Sequence, residues 1–392
     1  MSFPRAARPV LLGPRYLRLT LAALAVLCLA GQFVSCSGNG RLPTTGTGNT
    51  AYLTLPNQGS VLMLHIDGAT GAVAVQGSTP GYVGLSPYGL ALAPSGKFLY
   101  VANSESDNIY TFSIASDGSL SLSATTSDGG SGPHEALIDP SGKYLLVTNS
   151  GLTSDVSVFS IDSSTGALSA VSGSPFYANN GASEIVMPAA GNLAYVSNPS
   201  SGMVTEFTFD PATGTLTQVA GSPRFSGAGA DALAVDNSGQ FLYVANTSAQ
   251  NQGSNVIGNI SAFNINAATG ALTPIAGSPF APPIGTGPST LVAVPNSQFL
   301  YATTPGSSYS IWCFEINSLN GQLTVANESP FSLTAGGQFA LIDTNGNYFF
   351  IGSGQLNSIA AYTYDSNTGQ PTAVLNSPFS TGQVPGKMVI VP

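Results

Sequence analysis

The segments "AYLTLPN" (51–57), "LYVANSE" (99–105), "LLVTNSG" (145–151), "AYVSNPS" (194–200), "LYVANTS" (242–248), "LYATTPG" (300–306) and "FFIGSGQ" (349–355) are one element seen seven times. Their second residues fall at 52, 100, 146, 195, 243, 301 and 350, a pitch of roughly 46 to 58 residues. Around each lies the same frame. An apolar run such as "LALAP" (90–94) or "ALIDP" (136–140) precedes an "SGK"-type turn. An alternating strand such as "NIYTFSI" (108–114) or "VSVFSI" (156–161) follows, then a turn such as "DSSTGALS" (162–169) and a short fourth strand. Alternation of apolar and polar residues, with Val, Ile, Tyr and Phe between Gly and Asn turns, specifies antiparallel strands. No helical periodicity of useful length is present.

Four strands per unit and seven units predict an all-β fold: a seven-bladed propeller of four-stranded antiparallel blades around a central channel. Separate sandwich domains need about 100 residues each and do not fit this pitch. The termini agree. The chain's first repeat strand lacks its preceding apolar run, and "GKMVIVP" (386–392) is such a run with no successor. Pairing Met388–Val391 with 51–55 makes one blade from both ends and removes an exposed edge.

The leader is not part of this pattern. Arg5, Arg8, Arg15 and Arg18 precede the apolar "LTLAALAVLCLAGQFV" (19–34) and Cys36. That order predicts a lipoprotein-type signal over 1–36, cleaved before Cys36, whose thiol would be acylated. An uncleaved anchor helix, and export with Cys36 unmodified, are the alternatives. A polar linker is expected over 37–50 and the propeller over 51–392. The expected setting is the cell envelope, with the membrane reached through Cys36, on the periplasmic or outer surface.

Without the leader, five of the nine basic residues face all 18 acids, a formal charge of −13. So few scattered cations cannot neutralise a run of phosphates, which argues against nucleic acid as a partner. Charged residues are only 7% of the chain, so neutral polar groups cover the surface. Beyond Cys28 and Cys36 only Cys313 remains, which leaves no intrachain disulfide and predicts a buried thiol in "SIWCFEI" (310–316).

The "LYVAN", "LLVTN" and "AYVSN" strands resemble the YVTN-type repeats of the seven-bladed lactonase family, which includes 6-phosphogluconolactonase-like proteins. The resemblance spans about 51–392, and "GSPF" (173–176, 277–280), "ESPF" (328–331) and "NSPF" (376–379) resemble envelope members of that group. Repeats of this kind specify fold more than activity.

Loops that enter each first strand and leave each second strand share one face of such a ring. Counting back along each repeat gives two sets of positions for the channel mouth. The first is Tyr88, His134, Ser183, Asp231, Ser289, Gln338 and Gly386; the second is Gly89, Glu135, Glu184, Ala232, Thr290, Phe339 and Lys387. One set is expected to ring the mouth. The resemblance places His134 at the second histidine of the family's H-x-H motif, with Gly132 at the first. Where the family carries "GAGPRH", this chain has "GAGADA" (227–232), so Asp231 replaces the arginine and Ala232 the histidine; Thr247 stands for a glutamate. Arg224, seven residues upstream, is a candidate substitute cation.

Candidate catalytic residues are therefore His134, Glu135 and Glu184, and candidate ligand-binding residues are Tyr88, Asp231, Arg224, Gln338 and Lys387. His65 reads as a strand residue. The "D-x-x-T-G" turns at Asp67, Asp162, Asp210 and Asp365 read as Asx-turns rather than cation loops. Glu135, Glu184 and Asp231 carry oxygen ligands, but no loop has cation spacing, so no metal and no cofactor are expected. The long "NTSAQNQGSNVIGN" (246–259) is either a lid or a surface insertion. The expectation is a monomeric binding module that presents its loop face to a small molecule, glycan or protein. The alternative is a hydrolase of a sugar lactone or related cyclic ester with His134 as base.

Overall fold

In the computed structural model, residues 44–392 form one compact unit. The structure describes residues 48–79, 83–247, 258–281, 287–304, 310–333, 337–343 and 345–391. The expected signal and lipidation site at Cys36 lie outside these residues, as does most of the 246–259 insertion.

The chain is a ring of seven antiparallel sheets. Blade 2 is built from Pro87–Leu92, Phe98–Asn103, Asn108–Ile114 and Leu120–Ser127. Blade 3 runs Pro133–Ile138, Tyr144–Asn149, Asp155–Ile161 and Leu168–Ala170. Blades 4, 5, 6 and 7 begin at Ile185–Val186, Ala230–Val235, Thr290–Ala293 and Phe339–Ile342 and repeat that order. Blade 1 closes the ring: Met388–Ile390 supplies its innermost strand and pairs with Gly48–Leu55, matching Ala51 with Ile390 and Leu53 with Met388. The strand begins at Gly48, inside the expected linker, because Gly48–Thr50 extend the ladder against His65–Asp67. No helix among the described residues is long and apolar enough to cross a membrane.

The core sits between blades, not within them. Every residue of the second strands Phe98–Asn103, Tyr144–Asn149, Leu193–Asn198 and Phe241–Asn246 is buried. Successive side chains of a strand point to opposite faces. Leu99 and Val101 therefore pack toward blade 1, while Tyr100 and Ala102 pack toward blade 3. Among the described residues the buried apolar side chains form seven such clusters, one at each junction, including that of blade 7 with blade 1.

A tyrosine pins each junction. The hydroxyls of Tyr52, Tyr100, Tyr195, Tyr243 and Tyr301 donate to Gly118, Gly166, Gly270, Gly321 and Gly369 in the hairpin turn of the next blade, at 2.6 to 3.1 Å. Blades 3 and 7 have Leu146 and Phe350 at that position. There a tyrosine two residues earlier takes over, and Tyr144 reaches Ala212 while Tyr348, just before the strand Phe349–Ser353, reaches Gly68. The turn glycines are needed twice over. Gly166 has φ +73°, and a Cβ on it would lie 2.5 Å from the Phe98 ring.

The Ser-Pro-Phe segments have a structural role as well. In blades 3 to 7 the three-residue fourth strand pairs only with the end of the third, and Phe176, Phe225, Phe280, Phe331 and Phe379 pair with its start. Between them a strand N–H is left over, and the motif serine takes it. Ser174, Ser222, Ser278, Ser329 and Ser377 accept from Val158, Glu206, Ala262, Cys313 and Ala361 at 2.8 to 3.0 Å. Cys313 is buried, and burial pushes its thiol up to about 12. The D-x-x-T-G aspartates form the expected Asx-turns: Asp162 accepts from the N–H groups of Ser164 and Thr165 at 2.9 Å.

Deleting residues 386–392 removes Met388 and Ile390 from a core and bares the edge of Gly48–Leu55. The truncated protein is expected to aggregate or lose its cooperative melt, measured by size exclusion and calorimetry. A monomer as heat-resistant as the parent would refute ring closure as the source of stability.

Candidate functional site

The entrances to all seven first strands meet in one cavity of about 130 Å³. It is lined by Tyr88, His134, Glu135, Ser183, Glu184 and Asp231, by Ala232, Ser289, Thr290, Leu291, Gln338, Phe339 and Ala340, and by Lys387. Both expected sets of positions line it, not one. The reason is a β-bulge. In blade 3 Pro133 opposes Asn149, but Ala136 opposes Val147, so His134 and Glu135 are inserted against a single residue. The same shift occurs at Tyr88–Gly89 in blade 2 and at Asp231–Ala232 in blade 5. A bulge breaks strict alternation and lets neighbouring side chains share a face. Position 89 must then be glycine, since a Cβ there would sit 2.5 Å from the His134 carbonyl oxygen.

A bulge also frees backbone groups, and the second strand satisfies them. The hydroxyls of Thr148, Ser197 and Thr54 accept the N–H of Glu135, Glu184 and Lys387 at 3.0, 3.0 and 2.9 Å. Two of them also reach the next blade. Thr148 Oγ1 donates to the Ser183 carbonyl at 2.5 Å, and Thr54 Oγ1 donates to the Tyr88 carbonyl at 3.1 Å. The hydroxyl of the "YVTN" element thus fixes a site residue in its own blade and the backbone of a site residue in the next. Sequence reading missed these positioning residues, although the Thr or Ser before Asn in two of them, Thr148 and Ser197, was a signal.

The charged centre spans the channel. Lys387 Nζ lies 2.8 Å from Glu135 Oε2 and 3.2 Å from Glu184 Oε1, which joins blade 1 to blades 3 and 4. The other Glu184 oxygen accepts the Leu233 N–H of blade 5 at 2.7 Å. Burial alone would lower the Lys387 pKa, but the attraction of Glu135 and Glu184 overrides it and holds the ammonium well above 10.5. Asp231 accepts from Ser183 Oγ at 3.0 Å. Burial, and then repulsion from Glu184, raise its pKa above 3.8.

His134 stacks on Tyr88, ring centroids 4.3 Å apart and planes 28° apart. Burial and then the Lys387 charge push its pKa below 6.5, against opposing contributions from Asp231, the Ser183 backbone and Glu184. It is therefore a neutral imidazole at pH 7. Its Nδ1 is buried and has no hydrogen-bond partner.

Arg224 is not in this cavity. It lies in the Arg224–Phe225 segment that folds back on the third strand of blade 4, opposite Val204, with Nε 3.6 Å from the buried carboxylate of Glu206. The cation that lines the cavity is Lys387. His65 is a half-buried strand residue paired with Thr50 and Ala74. Among the described residues no group of three or more His, Cys, Asp or Glu side chains is arranged to hold a metal ion.

Seven four-stranded antiparallel sheets in a ring, with a polar cluster at the channel, define a seven-bladed β-propeller. The family model described as "Lactonase, 7-bladed beta-propeller" matches residues 44–175, 170–283 and 256–388, and the chain belongs to that family. Similar solved structures include a putative 6-phosphogluconolactonase from Bacteroides uniformis, at 17% identity and TM-score 0.73, covering 88% of this chain and 99% of that one. A putative 6-phosphogluconolactonase from Bacteroides fragilis has 19% identity and TM-score 0.70, covering 90% and 100%. The Pseudomonas aeruginosa periplasmic gluconolactonase has 17% identity and TM-score 0.72, covering 88% and 99%. No curated protein sequence matches.

Thr148→Val keeps the shape but leaves the Glu135 N–H and the Ser183 carbonyl without their partner. It is expected to cost about 1–3 kcal/mol of stability. Equilibrium denaturation checks this, and a change within about 0.5 kcal/mol would show that the hydroxyl positions nothing.

Proposed function

We propose that the protein hydrolyses a lactone in the channel cavity, with His134 as general base and Lys387 holding the developing oxyanion. The observation that carries this reading is the Lys387 ammonium, fixed inside the cavity beside a neutral imidazole. Membership of the lactonase family supports it. A binding-module reading draws its strength from the arginine missing at Asp231, and Lys387 supplies a cation from another blade.

The chemistry follows from the protonation states. His134 takes a proton from water as the oxygen adds to the lactone carbonyl carbon. The carbonyl oxygen becomes an anion, and the ammonium, already oriented by two carboxylates, stabilises it without reorganising. The C–O bond of the ring then breaks, and the imidazolium returns its proton to the departing alkoxide. The product is the open hydroxy acid. Asp231 favours the transient imidazolium by its charge. Glu135 and Glu184 keep Lys387 in place.

The leader sequence supports an exported enzyme tethered through Cys36, in keeping with a relative described as periplasmic.

On a lactone panel the protein is expected to show turnover above the buffer rate. His134→Ala should lower kcat/KM by about 100-fold or more, the usual range for loss of a general base. Because the folded-state pKa of His134 lies below 6.5, its basic form persists through neutrality. The rate should be flat near pH 7 and fall on acidification only below the ordinary histidine range. No turnover of any lactone, or an unchanged His134→Ala enzyme, rejects the reading.

A further inference from the structure

The charge of the cavity narrows the substrate. Three carboxylates line it, Glu135, Glu184 and Asp231, against one ammonium, so two negative charges are left over while His134 is neutral. That ammonium is not available to a distant anionic group. Two of its three N–H directions face Glu135 and Glu184, and the second oxygen of Glu184 is held by the Leu233 N–H. No other described cation reaches the site. Arg224 is paired with Glu206 in blade 4. Lys97 and Lys143 are exposed beside the turns that join first to second strands, at the end of the ring opposite the cavity entrance. The rest of the polar wall is neutral: Ser183, Ser289, Thr290 and Gln338 offer hydroxyl and amide groups suited to a polyol.

We propose that the site is selective by charge, taking lactones of uncharged polyols and rejecting those that carry a phosphate or carboxylate, and that Asp231 sets this selection. The inference rests on the lactonase reading above. Asp231 is the carboxylate that matters because no cation among the described residues forms an ion pair with it. Its one hydrogen bond comes from the neutral hydroxyl of Ser183, whereas Glu135 and Glu184 share Lys387. An anion entering the cavity therefore meets the field of Asp231 less compensated than that of either glutamate, since Lys387 acts on Asp231 without touching it. Gln338, on the wall contributed by blade 7, offers the place where an added positive charge should have the opposite effect.

The test compares D-glucono-1,5-lactone with its 6-phosphate ester on the full-length protein, at low ionic strength and corrected for spontaneous opening. The neutral lactone should be favoured at least tenfold in kcat/KM. Added salt should narrow the gap by screening the charged substrate's repulsion. Asp231→Asn and, independently, Gln338→Lys should each shrink the preference at least threefold. Equal turnover of the two esters, or preference for the phosphate, overturns charge selection and leaves the lactonase reading standing. A tenfold preference that neither variant alters overturns the role given to Asp231. No turnover of either compound by the parent protein removes both the inference and the reading beneath it.

Discussion

No blade of this protein has a core of its own. The apolar side chains of each second strand are divided between the junctions on its two sides, so a blade is buried only when both neighbours are present. Burial of a large apolar side chain contributes about 1.5–3 kcal/mol. Phe349 and Phe350, adjacent in sequence and each fully buried, add theirs to two different junctions. The tyrosine bonds set the distance between blades. Each hydroxyl must find the turn of the following hairpin, and in five junctions the acceptor belongs to a buried glycine. Seven repeats of this arrangement leave no blade face uncovered, provided the last strand finds the first.

The site depends on that closure directly. Lys387 is the residue before Met388, the first residue of the closing strand, and its backbone N–H and carbonyl bond Thr54 in the strand that follows it in space. Its side chain meets Glu184, 203 residues earlier in sequence. The ion pairs of the cavity therefore exist only in the completed ring. Buried charges are expensive unless paired and hydrogen-bonded. The protein meets this by giving Lys387 two carboxylates and by fixing Glu184 to the backbone of blade 5.

Much of this was legible in the sequence, for physical reasons. Alternation, pitch and the unmatched end segments specify strands, blade number and closure, because they report which faces are buried. The alignment of repeats also located the cavity residues, since equivalent positions in a ring converge on its axis. What period-2 reasoning missed was the bulge. It treats His134 and Glu135 as pointing to opposite faces, yet the extra residue in Pro133–Ile138 brings both to the channel. Arg224 was misplaced because the Ser-Pro segment returns along the third strand of its blade, away from the first strands. Lys387 stood in the right set of positions. Its role as the cation became visible only with the glutamates that surround it.

The sparse charge of the whole chain gives the cavity its meaning. With charged residues only 7% of the sequence, three carboxylates and an ammonium in one small space are a concentration that surface chance does not explain. Each is fixed by the fold. The bulges turn Glu135 and Asp231 inward, the Thr148 and Ser197 hydroxyls hold the backbone at Glu135 and Glu184, and ring closure delivers Lys387. A plugged architectural channel would need none of this, since apolar side chains fill space without the desolvation cost of ions. Burial then acts on the titratable groups in opposite senses. It keeps His134 neutral and able to accept a proton, while the paired glutamates keep Lys387 charged. A neutral imidazole and a charged ammonium in one cavity are what the proposed addition of water to a carbonyl would require, and a single closed ring of sheets brings both to it.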